Sequence, residues 1–135
     1  KPEQFRLNFI AFVNDVRAKG GNPILCTAVA RRSFDEKGNL LPTHGEYPSY
    51  IRQVAAEQKV PLIDMEKLTS EWLQKEGVEN SRKYFHKIPP GVSRVYPKGL
   101  DDNTHFNEAG ARQVTKMFVS QVKEKKIKPL TKLIK

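Results

Sequence analysis

The segment Leu100-Asp101-Asp102-Asn103-Thr104-His105-Phe106-Asn107 holds the side chains of this sequence best suited to chemistry. A histidine can take the proton from a serine hydroxyl and return it to a leaving alcohol. For that it must offer one ring nitrogen to the serine while a carboxylate accepts a hydrogen bond from the other. The carboxylate also stabilises the imidazolium that forms during attack. Asp102, three residues before His105 in a turn, can reach that second nitrogen. The same spacing equally suits a plainer arrangement, in which Asp102 caps a local turn and His105 is a surface or packed histidine. The other histidines, His44 and His86, lack His-x-x-x-His or paired-cysteine spacing, so no zinc site is expected.

The elements that must position this segment follow from hydrophobic periodicity. Phe5, Phe9, Phe12, Val13 and Val16 recur at helical spacing between Phe5 and Lys19, and Gly20-Gly21 ends that helix. Pro23-Ile24-Leu25-Cys26-Thr27 reads as a short interior parallel strand covered on both faces. The single cysteine, Cys26, is therefore expected to be a buried, unreactive thiol. Ala28 to Gly45 is loop, followed by a helix from about Pro48 to Lys59 with Tyr47, Ile51, Val54 and Ala55 on one stripe. Val60-Pro61-Leu62-Ile63-Asp64 predicts a second strand, with Asp64 capping a helix whose exit is Gly77.

From Val78 to Leu100 the pattern weakens to a short helical turn near Ser81 to His86, broken by Pro89-Pro90-Gly91. His105 then sits on a loop before a last helix, Asn107 to about Lys125. Asn107 is its predicted N-cap, Phe106 a staple onto Ala111, and Ala111, Val114, Phe118 and Val122 its buried stripe. Helices joined through buried strands imply a layered α/β domain. Two short strands cannot cover four helices, so either further strands leave no clear signal in the sequence or the sheet is completed by polypeptide outside this chain; the second is the favoured expectation.

A chain of 135 residues with 38% hydrophobic side chains suits one small domain. No run approaches the twenty or so apolar residues needed to cross a bilayer, so membrane insertion is not expected. The opening Lys1-Pro2-Glu3-Gln4 lacks the features of a signal peptide, which leaves location open. The net charge of +9 is concentrated in Lys116 to Lys135, with seven lysines and one acid, Glu124. Lysines without interleaved aromatics fit a solubilising helix face and a frayed end better than a nucleic-acid reading surface. The rival from another class is a binding module whose basic C-terminal helix docks on nucleic acid or an acidic polymer.

Thr27-Ala28-Val29-Ala30-Arg31-Arg32-Ser33-Phe34 after the first strand, Val60-Pro61-Leu62-Ile63-Asp64 at the second, and above all Asp102-Asn103-Thr104-His105-Phe106-Asn107-Glu108-Ala109-Gly110-Ala111 carry a family likeness. Over about Phe5 to Lys123 the chain resembles the second half of the GDSL (SGNH) hydrolases, closest to their rhamnogalacturonan-acetylesterase-like branch. The resemblance implies a three-layer flavodoxin-like α/β fold, a parallel sheet flanked by helices and incomplete in this chain. Residues 1–125 would be the C-terminal portion of a single SGNH-hydrolase domain and 126–135 a basic tail.

In function it implies a serine esterase that removes O-acetyl groups from carbohydrate, of the pectin or rhamnogalacturonan type, working outside the cell or in the periplasm without metal or organic cofactor. His105 matches the family's general base and Asp102 its orienting carboxylate, with Asp101 the neighbouring acid. The family's serine lies in a Gly-Asp-Ser segment near the start of the domain. Its oxyanion hole uses the serine N–H, a glycine N–H and an asparagine side chain. No Gly-Asp-Ser occurs here, Asn14-Asp15 lies inside a helical pattern, and Ser33 is not placed where the nucleophile belongs. The nucleophile is therefore expected in a missing N-terminal portion of the same domain.

Arg31, at the C-terminal end of the first strand where open α/β sheets bind ligands, is the candidate substrate-binding residue. It would hold a uronate carboxylate bidentately, or else belong to a solvated charge pair or a salt bridge that closes the loop. Tyr47, Trp72 and Tyr96 are sugar platforms or, equally, packing residues. A non-catalytic carbohydrate- or polyanion-binding module is the alternative.

Overall fold

Helix α1 (Pro2–Ala18) begins with proline at its first turn beside Glu3 and ends near Arg17, charges that complement the helix dipole. In the computed structural model, which describes residues 1–134, it packs on α2 (Tyr47–Glu57). Val13, Ile51, Val54 and Ala55 are buried there with Leu25 and Val60, and Phe5, Phe9 and Ile10 close over them. Phe12 and Val16, expected on the buried stripe, and Tyr47 are exposed. The covered stripe is narrower than the spacing suggested because α2 is the neighbour that α1 packs against most extensively.

Two strands, β1 (Leu25–Cys26) and β2 (Leu62–Ile63), run parallel, with Leu25 opposite Leu62 and Cys26 opposite Ile63. They are shorter than expected, although Leu25 N–H to the Pro61 carbonyl and Thr27 N–H to the Ile63 carbonyl extend the ladder at both ends. Side chains alternate: Leu25 and Leu62 face α1 and α2, while Ile63 joins Met65, Val122 and Ile127 in a core on the other side. Cys26 is exposed, not buried as expected. The helix that covers this face, α4 (Glu108–Glu124), packs on β2 and leaves Cys26 at the open border.

Asp64 caps α3 (Met65–Asn80) by accepting from Lys67 N–H, as its position predicted. The same carboxylate accepts from the Thr27 hydroxyl at 2.8 Å and from Arg52 of α2 at 2.8 and 3.0 Å, which locks the exits of both strands together. Gly77, at φ 73, breaks α3 where the sequence placed its end. A 3-10 turn, Ser81–Tyr84, follows.

Two strands then appear that the sequence did not reveal: β3 (Phe85–Ile88) and β4 (Leu100–Phe106) form an antiparallel pair. Asp101-Asp102-Asn103 is poor strand material by composition. The result is a roughly three-layer α/β arrangement in which helices flank two separate two-stranded sheets, one of them antiparallel, and not a continuous parallel sheet. Part of the strand deficit was thus an unrecognised hairpin. Phe85 and Phe106 stack at 4.8 Å within a core that includes Leu73, Trp72 and Tyr84.

Asn107 caps α4, accepting from Gly110 N–H at 3.1 Å. Its side-chain amide donates to the carbonyls of Lys83 (2.8 Å) and Phe85 (3.0 Å), so one residue fastens the helix to the turn and to β3. Phe106 enters the aromatic core and Ala111 is exposed, so the expected staple between them does not form. Beyond α4 the basic segment is packed rather than frayed: Ile127 is buried and a short α5 (Leu130–Leu133) follows. Among the described residues no helix is long and apolar enough to cross a membrane.

Gly110 is the tightest point of this docking. A Cβ there would strike the Tyr84 carbonyl oxygen and come within 2.8 Å of the Phe106 ring. Gly110→Ala gains about 1 kcal/mol of helix propensity but forces α4 off a backbone atom that cannot rotate aside. A net loss on the order of 1–2 kcal/mol is expected, read as a lower urea midpoint; an unchanged midpoint would show that the helix start is not clamped as described.

Candidate active site

The ladder between β3 and β4 pairs Lys87 with Asp101 and then Phe85 with Phe106. Asp102, Asn103, Thr104 and His105 therefore lie opposite His86 alone and are pushed out of the sheet as a bulge. Bulges re-aim side chains and free backbone groups from the ladder. The sequence expectation of a loop at His105 is corrected to a bulged strand end, whose two flanks are held by paired residues.

Within the bulge the Asp102 carboxylate takes the place of a strand partner. Its Oδ1 accepts from the backbone N–H of Thr104 (2.6 Å) and of His105 (2.9 Å). Its Oδ2 lies 2.6 Å from Nδ1 of the His105 ring. The two backbone donors, that of His105 foremost, and then the imidazole hold the Asp102 carboxyl well below the usual carboxylate range. The His105 side chain is 76% exposed, so its outer nitrogen faces outward while the inner one is fixed. An imidazole oriented in this way is set to accept a proton at Nε2 and to carry the resulting charge beside an anion.

Neighbouring acids are engaged elsewhere. Asp101 accepts from Lys87 Nζ and lies 3.6 Å from Arg82, and the Lys87 hydrogen bond pulls its carboxyl down. The adjacent side chains thus point to different partners, and it is Asp102 that meets the histidine.

Asn103, between them, is the anchor that sequence reasoning missed. Its Oδ1 accepts from Lys87 Nζ at 2.7 Å and from Arg32 Nη1 at 2.8 Å, and its carbonyl accepts from Arg32 N–H at 2.9 Å. Arg32 is 8% exposed; its Nε donates to Ser81 Oγ at 2.9 Å, and Nη2 donates to the Val78 carbonyl. The guanidinium also lies over the Phe34 ring at 5.7 Å. One buried arginine therefore ties the loop leaving β1, the end of α3 and the bulge together.

Arg31, the expected substrate residue, points away from this network and is exposed. It borders a cleft of about 500 Å³ with His44 and Tyr47, whose walls include neither Asp102 nor His105. Which of two adjacent arginines turns inward depends on the backbone of β4, a strand that left no periodic signal. Of the candidate platforms, Tyr47 lines this cleft, Tyr96 is exposed, and Trp72 packs against Tyr84 at 4.7 Å.

Comparison with known proteins gives relatives of defined kind. The chain is 39% identical over 113 residues to rhamnogalacturonan acetylesterase RhgT of Bacillus subtilis (strain 168), covering 84% of this chain and 49% of that protein. It is 32% identical over 123 residues to the probable rhamnogalacturonan acetylesterase YesY of the same organism, covering 91% and 52%. The chain spans about half the length of the curated relatives it matches. The crystal structure of protein YXIM from Bacillus subtilis superposes with a TM-score of 0.74 at 26% identity, over 95% of this chain and 33% of that one. No family model matches.

Two outcomes test the geometry. Because Asp102 is depressed in the folded chain, its stabilising contribution is present above the unfolded value near pH 4 and is lost as pH falls toward the folded one. The urea-midpoint gap between the parent and Asp102→Asn is therefore expected to shrink as pH is lowered from about 6 to about 3; a gap that widens in acid would contradict the assignment. Arg32→Met removes the buried guanidinium's hydrogen bonds to Ser81 Oγ, Asn103 Oδ1 and the Val78 carbonyl and is expected to cost about 1–3 kcal/mol. An equal loss in Arg31→Met would mean the two arginines have been told apart wrongly.

Proposed function

We propose, from the homology between this chain and the GDSL-type rhamnogalacturonan acetylesterases, that it supplies the histidine and aspartate of a serine esterase acting on O-acetylated carbohydrate. The observation that carries the reading is the 2.6 Å contact between Asp102 Oδ2 and His105 Nδ1 on a bulge that leaves the other ring nitrogen outward. In the reaction a serine outside this chain attacks the acetyl carbonyl while His105 Nε2 takes its proton. Asp102 stays ionised and steadies the imidazolium. The C–O bond of the ester breaks as His105 returns the proton to the sugar oxygen, leaving an acyl-enzyme. Water then attacks that acyl carbon, again through His105, and acetate leaves.

In this reading residues 1–125 form the C-terminal portion of one SGNH-hydrolase domain, with 126–135 as its basic tail. A longer polypeptide completes a parallel, flavodoxin-like sheet on the open border beside Cys26 and brings the nucleophile and oxyanion donors. Arg31, with Tyr47 beside it, holds an acidic sugar neighbouring the ester. The RhgT and YesY names support pectin-type polysaccharide as the substrate. A polymer of that kind points to work outside the cell or in the periplasm.

Acetate release from acetylated rhamnogalacturonan by the full-length protein is the direct test. His105→Ala is expected to lower kcat on the order of a thousandfold or more, with KM little changed. The 135-residue chain alone is expected to remain unlabelled by a fluorophosphonate that labels the full-length protein. Undiminished turnover in His105→Ala, or labelling of the short chain at Ser33, would defeat the proposal.

A further inference from the structure

A second cleft, of about 780 Å³, opens at the opposite end of the parallel pair, where the chain enters β1 and β2. Its rim carries Arg17, Lys59, Lys125, Lys126 and Lys128, and among the described residues no acidic side chain lines it. Among the described residues none of these five cations forms an ion pair. Nearby carboxylates are occupied: Glu57 with Arg6, and Glu124 with the Gln121 amide. Positive charge gathered on a concave wall without counter-charge raises the local concentration of anions.

The cations are held by the fold and are not a loose tail. Lys126 and Lys128 flank Ile127, which is buried, and Arg17 donates to the Gln58 carbonyl at 2.7 Å. Among the described residues, the two non-glycine residues with left-handed backbone are both lysines of this cleft: Lys59 at φ 51 and Lys126 at φ 50. Each directly follows a helix C-cap and closes a Schellman turn, Val60 N–H donating to the Ala55 carbonyl and Ile127 N–H to the Val122 carbonyl, so both lysines sit on fixed backbone.

We propose that this cleft binds an acidic polysaccharide, a run of uronate sugars, as a docking site remote from His105. The proposal rests on the reading of the protein as a carbohydrate esterase. Four of the five cations are lysines, point charges suited to carboxylates spaced along a polymer. Ile24, Leu62 and Ile127 offer an apolar floor to the C–H faces of sugar rings. Among the described residues no aromatic side chain lines the cleft, so nucleic-acid bases would find no stacking platform.

The test is binding of unesterified oligogalacturonate to the full-length protein at low and at moderate salt. The parent is expected to bind, with affinity falling as salt rises. K125Q/K126Q/K128Q is expected to bind about tenfold more weakly, three exposed charge contacts of ordinary size. K37Q/K75Q/K98Q, which removes the same charge elsewhere, is expected to bind within about twofold of the parent. Equal weakening in both variants, no weakening in the first, or tighter binding of a single-stranded DNA oligonucleotide of matched charge would each overturn the proposal. Hydrolysis of p-nitrophenyl acetate is expected to be unchanged in K125Q/K126Q/K128Q. Absence of that hydrolysis in the parent would sink the esterase reading while the binding results still judged the cleft.

Discussion

One carboxylate substitutes for a stretch of β-ladder. Where β4 bulges away from β3, the Asp102 side chain takes two backbone donors that the sheet has given up, and with its other oxygen it fixes the His105 ring. Those tasks are not separable. The bulge is what turns His105 outward, and the carboxylate is what makes a four-residue bulge tolerable, because freed backbone N–H groups otherwise go unpaired or drift to solvent. The flanks are then pinned on every side: Lys87 and Arg32 hold Asn103, Phe106 is sunk in the aromatic core, and Asn107 and Gly110 seat α4 against Tyr84.

Two heavily hydrogen-bonded carboxylates in the molecule, Asp64 and Asp102, differ in what they hold. Asp64 also accepts several hydrogen bonds, but its partners are Thr27, Lys67 N–H and the Arg52 guanidinium, and all of these close the strand exits. Burial raises its carboxyl and those partners more than offset it, leaving the group lowered. Arg52 is bound to Glu66 as well, which extends the same clamp to the first turn of α3. Asp102 differs in having a single side-chain partner, one that can itself take up a proton at its far nitrogen. Both groups are depressed acids; only the second touches an imidazole.

Legibility followed periodicity. The order of helices and the two parallel strands could be read because their cores repeat at helical or continuous apolar spacing, as Ile51, Val54 and Ala55 do. Caps were legible for the same local reason: Asp64 and Asn107 act within three residues of themselves. The pairing of Asp102 with His105 is local too, and so it was visible as a candidate. What stayed hidden is non-local. β4 is polar along much of its length and owes its strand geometry to β3, and Arg32 was passed over for Arg31 because its partners lie 46 to 71 residues away. Cys26 looked like core by composition, yet burial requires a neighbour that composition cannot supply.

The bulge of β4 and the lysine-rimmed cleft at the entry to the parallel pair impose different physical demands. In the proposed esterase, proton transfer at the bulge would depend on interactions that strengthen as charge moves, so ring and carboxylate must be fixed to within a fraction of an ångström. At the lysine-rimmed cleft the charges meet solvent and are screened, and small displacements change little. In the proposed docking role, contacts of that second kind would stabilise bound polymer equally before and during reaction. They would act on how often an ester arrives, not on how fast it breaks. A segment with backbone held by Ile127 but side chains free suits that looser role, as the three-way grip on Asn103 suits the stricter one.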